Sequence, residues 1–149
     1  MKWMCAFLLC VLCVGCDEAA KPGTDAWIVG KWNTRIVEGH NDDDPATMEF
    51  LANHSCRRTE TESRGRQDID DAAWKIVGNN LVIMPISGES EAGPDMEEVK
   101  ERLAKYEEDP EKVLRKMVAK MEDLTQDSFT FFVEERGNTL KIKATRIKS

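Results

Sequence analysis

Four of the five cysteines, Cys5, Cys10, Cys13 and Cys16, crowd into the first sixteen residues as C-x4-C-x2-C-x2-C. Thiolates at the first three of those positions match the spacing of a plant-type iron–sulfur ligand run. The residues between them speak against a metal: Ala6, Phe7, Leu8, Leu9, Val11, Leu12 and Val14 favour an apolar helix, whereas a cluster-binding loop must turn its backbone N–H groups toward sulfur. Lys2 beside the initiating amine, an apolar run to Gly15 and the acidic pair Asp17-Glu18 have the layout of a secretory leader. The run is also too short for a bilayer span, which takes about 20 apolar residues. No metal and no cofactor is expected here.

Val14-Gly15-Cys16 resembles the lipobox of bacterial lipoproteins, although Cys13 stands where that family usually has Leu. The resemblance implies a leader over residues 1–15, a diacylglyceryl thioether on Cys16, and a flexible linker over 16–25. The mature chain would then sit in the cell envelope, outside the cytoplasm and held to the membrane by its acyl chains, each buried CH₂ contributing about 0.8 kcal/mol. In Gram-negative lipoproteins an acidic residue at the place of Asp17 is associated with inner-membrane retention. Cys56 would be the sole remaining thiol, read as a small core hydrophobe, and no internal disulfide could form.

Loss of Lys2 with the leader takes the 21 basic residues to 20 against 28 acidic ones, so the formal charge moves from −7 to −8. That balance excludes nucleic acid, whose phosphates demand a basic face, and gives no electrostatic pull toward anionic lipid. The remaining length fits one domain, spanning residues 26–149.

What positions the side chains is mostly β. Short runs alternate apolar and polar residues: Trp27 to Val37, Thr47 to Leu51, Ser55 to Ser63, Ala73 to Val77, Leu81 to Met84, Phe129 to Glu134 and Leu140 to Ile147. Ala52-Asn53-His54, Gly78-Asn79-Asn80 and Arg136-Gly137-Asn138 supply turns between them. From about residue 87 to 126 the period switches to helical. Met96, Val99, Leu103 and Tyr106 form one stripe; Val113, Leu114, Met117, Val118 and Met121 form another behind the N-cap and first-turn pair Asp109-Pro110. The fold class expected is mainly β: an antiparallel meander of about seven strands, as a barrel or strongly curved sheet, with an inserted helical pair.

Gly30-Lys31-Trp32, with Met48-Glu49-Phe50-Leu51 and the run Trp74-Lys75-Ile76-Val77-Gly78-Asn79-Asn80-Leu81, resembles the G-x-W signature and cadence of small bacterial lipocalin-like (calycin) lipoproteins. In that family the tryptophan closes the barrel floor beneath an arginine of the last strand. The resemblance implies a floor pair of Trp32 and Arg146, the latter in phase with Leu140, Ile142 and Ala144. It also implies a small apolar ligand in the barrel mouth, with Trp74, Phe129 and Phe131 as candidate walls. The helical pair could cover that mouth as a lid or fill the cavity. The alternative is an anchored interaction protein with a filled core, touching another envelope protein of unknown identity.

No enzyme is expected. The sequence has no G-x-S-x-G elbow, no H-E-x-x-H and no phosphate-binding glycine loop. His40-Asn41-Asp42-Asp43-Asp44, with His54 nearby, gathers cation-binding groups, but three adjacent Asp lack the alternate spacing of a calcium loop and read as solvated. Arg57, Arg58, Arg64 and Arg66, interleaved with Glu60 and Glu62, form the one basic concentration and read as a self-screened strand and loop.

Overall fold

Each of the three turn signals joins a pair of neighbouring strands, and among the described residues eight strands close into one antiparallel up-and-down barrel. The computed structural model describes residues 19–39, 45–62, 65–87, 93–114, 118–135 and 137–148. A short helix α1 (Asp25–Ile28) leads into β1 (Gly30–Glu38), β2 (Ala46–Phe50), β3 (Ser55–Thr61), β4 (Gln67–Val77) and β5 (Asn80–Pro85). Helices α2 (Met96–Glu108) and α3 (Pro110–Leu114) precede β6 (Val118–Glu122), β7 (Ser128–Glu135) and β8 (Asn138–Arg146). Each strand pairs with the next, and β8 pairs back onto β1, with Trp32 opposite Arg146 and Ile36 opposite Ile142. Closure leaves no free edge for a second chain to extend.

The strand count is eight where seven were expected, and the eighth was hidden inside the helical reading. Leu114, Val118 and Met121 satisfy a helical period, but in β6 it is Ala119 and Met121 that face the core, at period two. Lys120 and Glu122 alternate outward and pair at 2.7 Å. Among the described residues the insert's helices cover Met96–Glu108 and Pro110–Leu114.

A second difference concerns Trp27 and Ile28, expected to begin the first strand. Thr24 caps them instead: its Oγ1 accepts from the Trp27 N–H, and Asp25 sits in the first turn. The strand starts only at Gly30, where φ is +131°. A Cβ on that residue would stand 3.0 Å from the Arg146 Nη1, so both the backbone angle and the guanidinium overhead require glycine.

Helix α2 of the insert packs on the outside of the barrel and neither lids the mouth nor fills the interior. Val99 and Tyr106 of α2 are buried against Ala73, Val82 and Met84, which point out of the barrel from β4 and β5. Asp95 caps the helix by accepting from the Glu97 N–H. Glu98 reaches back to accept from the Ser87 N–H at 2.8 Å, and that bond holds its carboxyl below the ordinary carboxylate range. A lowered folded-state pKa contributes stability above the ordinary value of about 4.5 and loses it on acidification. Protection factors in α2, with the intrinsic acid slowing of exchange divided out, are therefore expected to fall as pH drops below about 4.5, and Glu98→Gln should flatten that dependence.

Candidate functional site

The inward phase of the barrel divides into a solid lower half and a hollow upper half. Below, Trp32 is fully buried, with its ring 5.5 Å from Trp27 and 4.9 Å from Phe129 in edge-on contacts. Its indole N–H donates to the Ile28 carbonyl at 2.7 Å. The Arg146 guanidinium lies 4.1 Å from the centre of the Trp32 ring, a cation–π stack. Its N–H groups donate to the carbonyls of Val29 at 3.0 Å, Gln126 at 3.1 Å and Trp27. Burial pulls the Arg146 pKa down from its ordinary value, and the carbonyls, with the ring face, replace the water it loses. One side chain thus ties α1, the β6–β7 turn and β8 together into a floor.

Above the floor opens a cavity of about 800 Å³, within the range of sites that hold a small organic molecule. Its deep wall is apolar, built from Met48, Cys56, Ala72, Ile83, Phe131 and Ile142, one or two inward positions from each of several strands. Burial pushes the Cys56 thiol pKa well above its ordinary value, so the thiol stays protonated and serves as an apolar wall. Thr34 Oγ1 is occupied by a bond to the Ala46 carbonyl at 3.0 Å.

Of the three aromatic residues expected to line a ligand cavity, the structure places Phe131 there and the other two beneath it. Phe129 belongs to the floor, packed on Trp27 and Trp32. Trp74 is fully buried, donating its indole N–H to the carbonyls of Ser55 and Leu51, with Phe50 edge-on at 5.6 Å. All three share the inward phase, but a barrel interior is layered along its axis. Alternation gives the face a residue points to and not its height.

The basic cluster is split by the same alternation. Arg57 points outward and makes a double bond pattern to Asp71, Nε and Nη2 each 2.8 Å from a carboxylate oxygen. The Lys31–Glu49 pair at 3.6 Å stands on the same outer face. Cross-strand register sets Lys31 opposite Glu49, Glu49 opposite Arg57, and Arg57 opposite Asp71, an alternating-charge ladder over four strands. Arg58 points inward to the cavity rim, where it donates to Asp70 at 3.2 Å and to Glu60. The stretch expected to be a self-screened strand and loop is self-screened at Arg58 and Glu60, but at the cavity rim, and Arg64 lies outside the described residues. The signal available was phase: Arg58 and Glu60 lie two and four residues from Cys56, on the same side of the strand.

Cys16 and Asp17, and the cluster His40 to Asp44, lie outside the described residues. His54 holds the β2–β3 turn at φ +63°, its ring against Trp74 at 4.9 Å, at the floor end and away from the cavity. Among the described residues no group of three or more His, Cys, Asp or Glu side chains could hold a metal ion, and no helix is long and apolar enough to cross a membrane.

No protein-family model matches the chain and no curated protein does. Among solved structures it is similar to a lipocalin-like protein from Bacteroides uniformis ATCC 8492, at 19% identity over 81% of this chain and 99% of that one, with a TM-score of 0.48. It is also similar to an uncharacterized protein from Bacteroides eggerthii DSM 20697, at 18% identity over 77% of this chain and 97% of that one, with a TM-score of 0.45.

Proposed function

We propose that this chain is a binding protein of the bacterial cell envelope, not an enzyme, which holds one small, largely apolar molecule in the mouth of its barrel and is tethered to the membrane through lipid on Cys16. The cavity carries the first half of that reading: about 800 Å³ with an apolar deep wall, set over a floor whose buried aromatic residues already fill the space below. A hollow of that size offers a ligand contact from several strands at once, which a filled-core interaction protein would have no reason to keep. The lipobox resemblance around Cys16 carries the second half.

The two halves fit together in space. Ala20 packs against the core, and its carbonyl accepts from Gln126 at the floor end. A lipid four residues earlier would stand within about 14 Å of that point at full extension, holding the closed end toward the bilayer and leaving the mouth to face away from it.

The uncharged fluorophore N-phenyl-1-naphthylamine tests the cavity. Saturable enhancement with one site per chain supports the reading, and a linear, unsaturable response overturns it. Mass spectrometry of the native product tests the tether: the expected amino terminus is Cys16 carrying acyl mass, and an intact leader or an unmodified terminus contradicts it.

A further inference from the structure

The cavity rim names the class of molecule, an inference that rests on the binding reading above. Around the mouth the lining holds four carboxylates, Glu60, Asp70, Asp71 and Glu135, against two guanidiniums, Arg35 and Arg58. On the inward phase alone the described lining sets Glu60, Asp70 and Glu135 against Arg58. Glu60 and Asp70 share the inward phase with Arg58, and both already bond it. Arg57 on the outer face satisfies Asp71, and Arg35 has a partner of its own. An anionic head group entering the mouth would sit beside Glu60 and Asp70, which already neutralise Arg58. A cationic head group meets the opposite situation: among the described residues it adds a counter-charge beside Glu60, Asp70 and Glu135, which share the inward phase with Arg58, without breaking an existing pair.

We infer that the occupant is an amphiphile whose apolar body lies against Met48, Ile83, Phe131 and Ile142 and whose head is a cation, an ammonium or amidinium class of group, at the Glu60–Asp70–Glu135 rim. The low-dielectric walls of a concave site strengthen such charge discrimination relative to open water. Selectivity then comes as much from rejection of anions as from attraction of cations.

Three probes with one body test it on the wild-type chain: decylammonium, decanol and decanoate, each below its micellar range, displacing N-phenyl-1-naphthylamine at pH 7. Decylammonium is expected to displace the fluorophore at least about tenfold more tightly than decanoate, with decanol between them. The ratio should shrink as salt rises to about 0.5 M. The double variant Glu60→Gln with Asp70→Asn should bring the ratio below about threefold; should it fail to fold, Glu135→Gln at the exposed rim should lower the ratio in the same direction. Fluorophore binding with decanoate equal to or tighter than decylammonium overturns the head-group inference and leaves the cavity reading standing. Absence of fluorophore binding, with no displacement by any of the three, overturns both.

Discussion

Trp32→Ala is expected to lose about 3–5 kcal/mol of unfolding free energy, read from denaturant midpoints at unchanged slope. The ring is fully buried and touches Trp27 and Phe129, so its removal leaves a void that the closed sheet cannot collapse to fill. Arg146→Ala is a different kind of loss. It removes the stack on the indole at 4.1 Å and strands the carbonyls of Val29 and Trp27, each unsatisfied acceptor costing about 1–3 kcal/mol when it stays buried. Because the two side chains share one contact, the double variant should lose measurably less than the sum of the single ones, by about 0.5–2 kcal/mol. Strict additivity would mean that the guanidinium supports the floor through its carbonyl bonds alone.

Arg57→Ala should cost about 3 kcal/mol although Arg57 lies on the outer face. Its partner Asp71 has a side chain only 1% exposed, and truncation of the arginine leaves that carboxylate out of water with its double partner gone. Replacing the pair together, Arg57→Met with Asp71→Leu, removes the stranded charge and is expected to recover most of the loss. The exposed pairs of the insert make the contrast: breaking Lys100–Glu97 or Lys105–Glu101 should leave the denaturant midpoint nearly unchanged, because water and salt screen both partners. A loss below about 1 kcal/mol for Arg57→Ala would mean that water reaches Asp71 once the arginine is gone.

Much of this architecture was legible because a closed meander writes its phase into the chain. Trp32 and Thr34 on β1, Met48 and Phe50 on β2, and Leu140 and Ala144 on β8 alternate inward as their sequence spacing predicts. Gly78 at φ +61° makes the turn that Gly-Asn signals. Legibility failed where two periods coincide or where an element is too short to show one. Val118 and Met121 share a face in a helix but take opposite faces in a strand, and only pairing of Val118 with Val82 and of Ala119 with Leu81 selects the strand. Four residues of α1 complete a single turn, less than any periodicity needs, so Thr24 as cap was the one sign that Trp27 would lie across the floor.

The site was less legible than the fold, for a physical reason. Whether an inward aromatic residue lines a hollow or plugs it depends on its height in the barrel and on the volumes of its neighbours across the ring of strands. Trp74 and Phe131 share the inward phase; the first is layered under Cys56 and Ala72, the second faces the space above them. The charged rim was missed for the complementary reason. Arg58, Glu60 and Asp70 have the composition of a solvated surface, yet cross-strand register brings them onto the inner face at the mouth.

The most direct test of a ligand-holding barrel is methyl NMR of the chain titrated with N-phenyl-1-naphthylamine. Saturable shifts should concentrate on Met48, Ile83 and Ile142 of the deep wall, while Leu81 and Met121 in the solid lower half and Val99 of α2 stay in place. Shifts confined to Val99 and its neighbours on the outer face, or none at all at the wall methyls, would contradict the account.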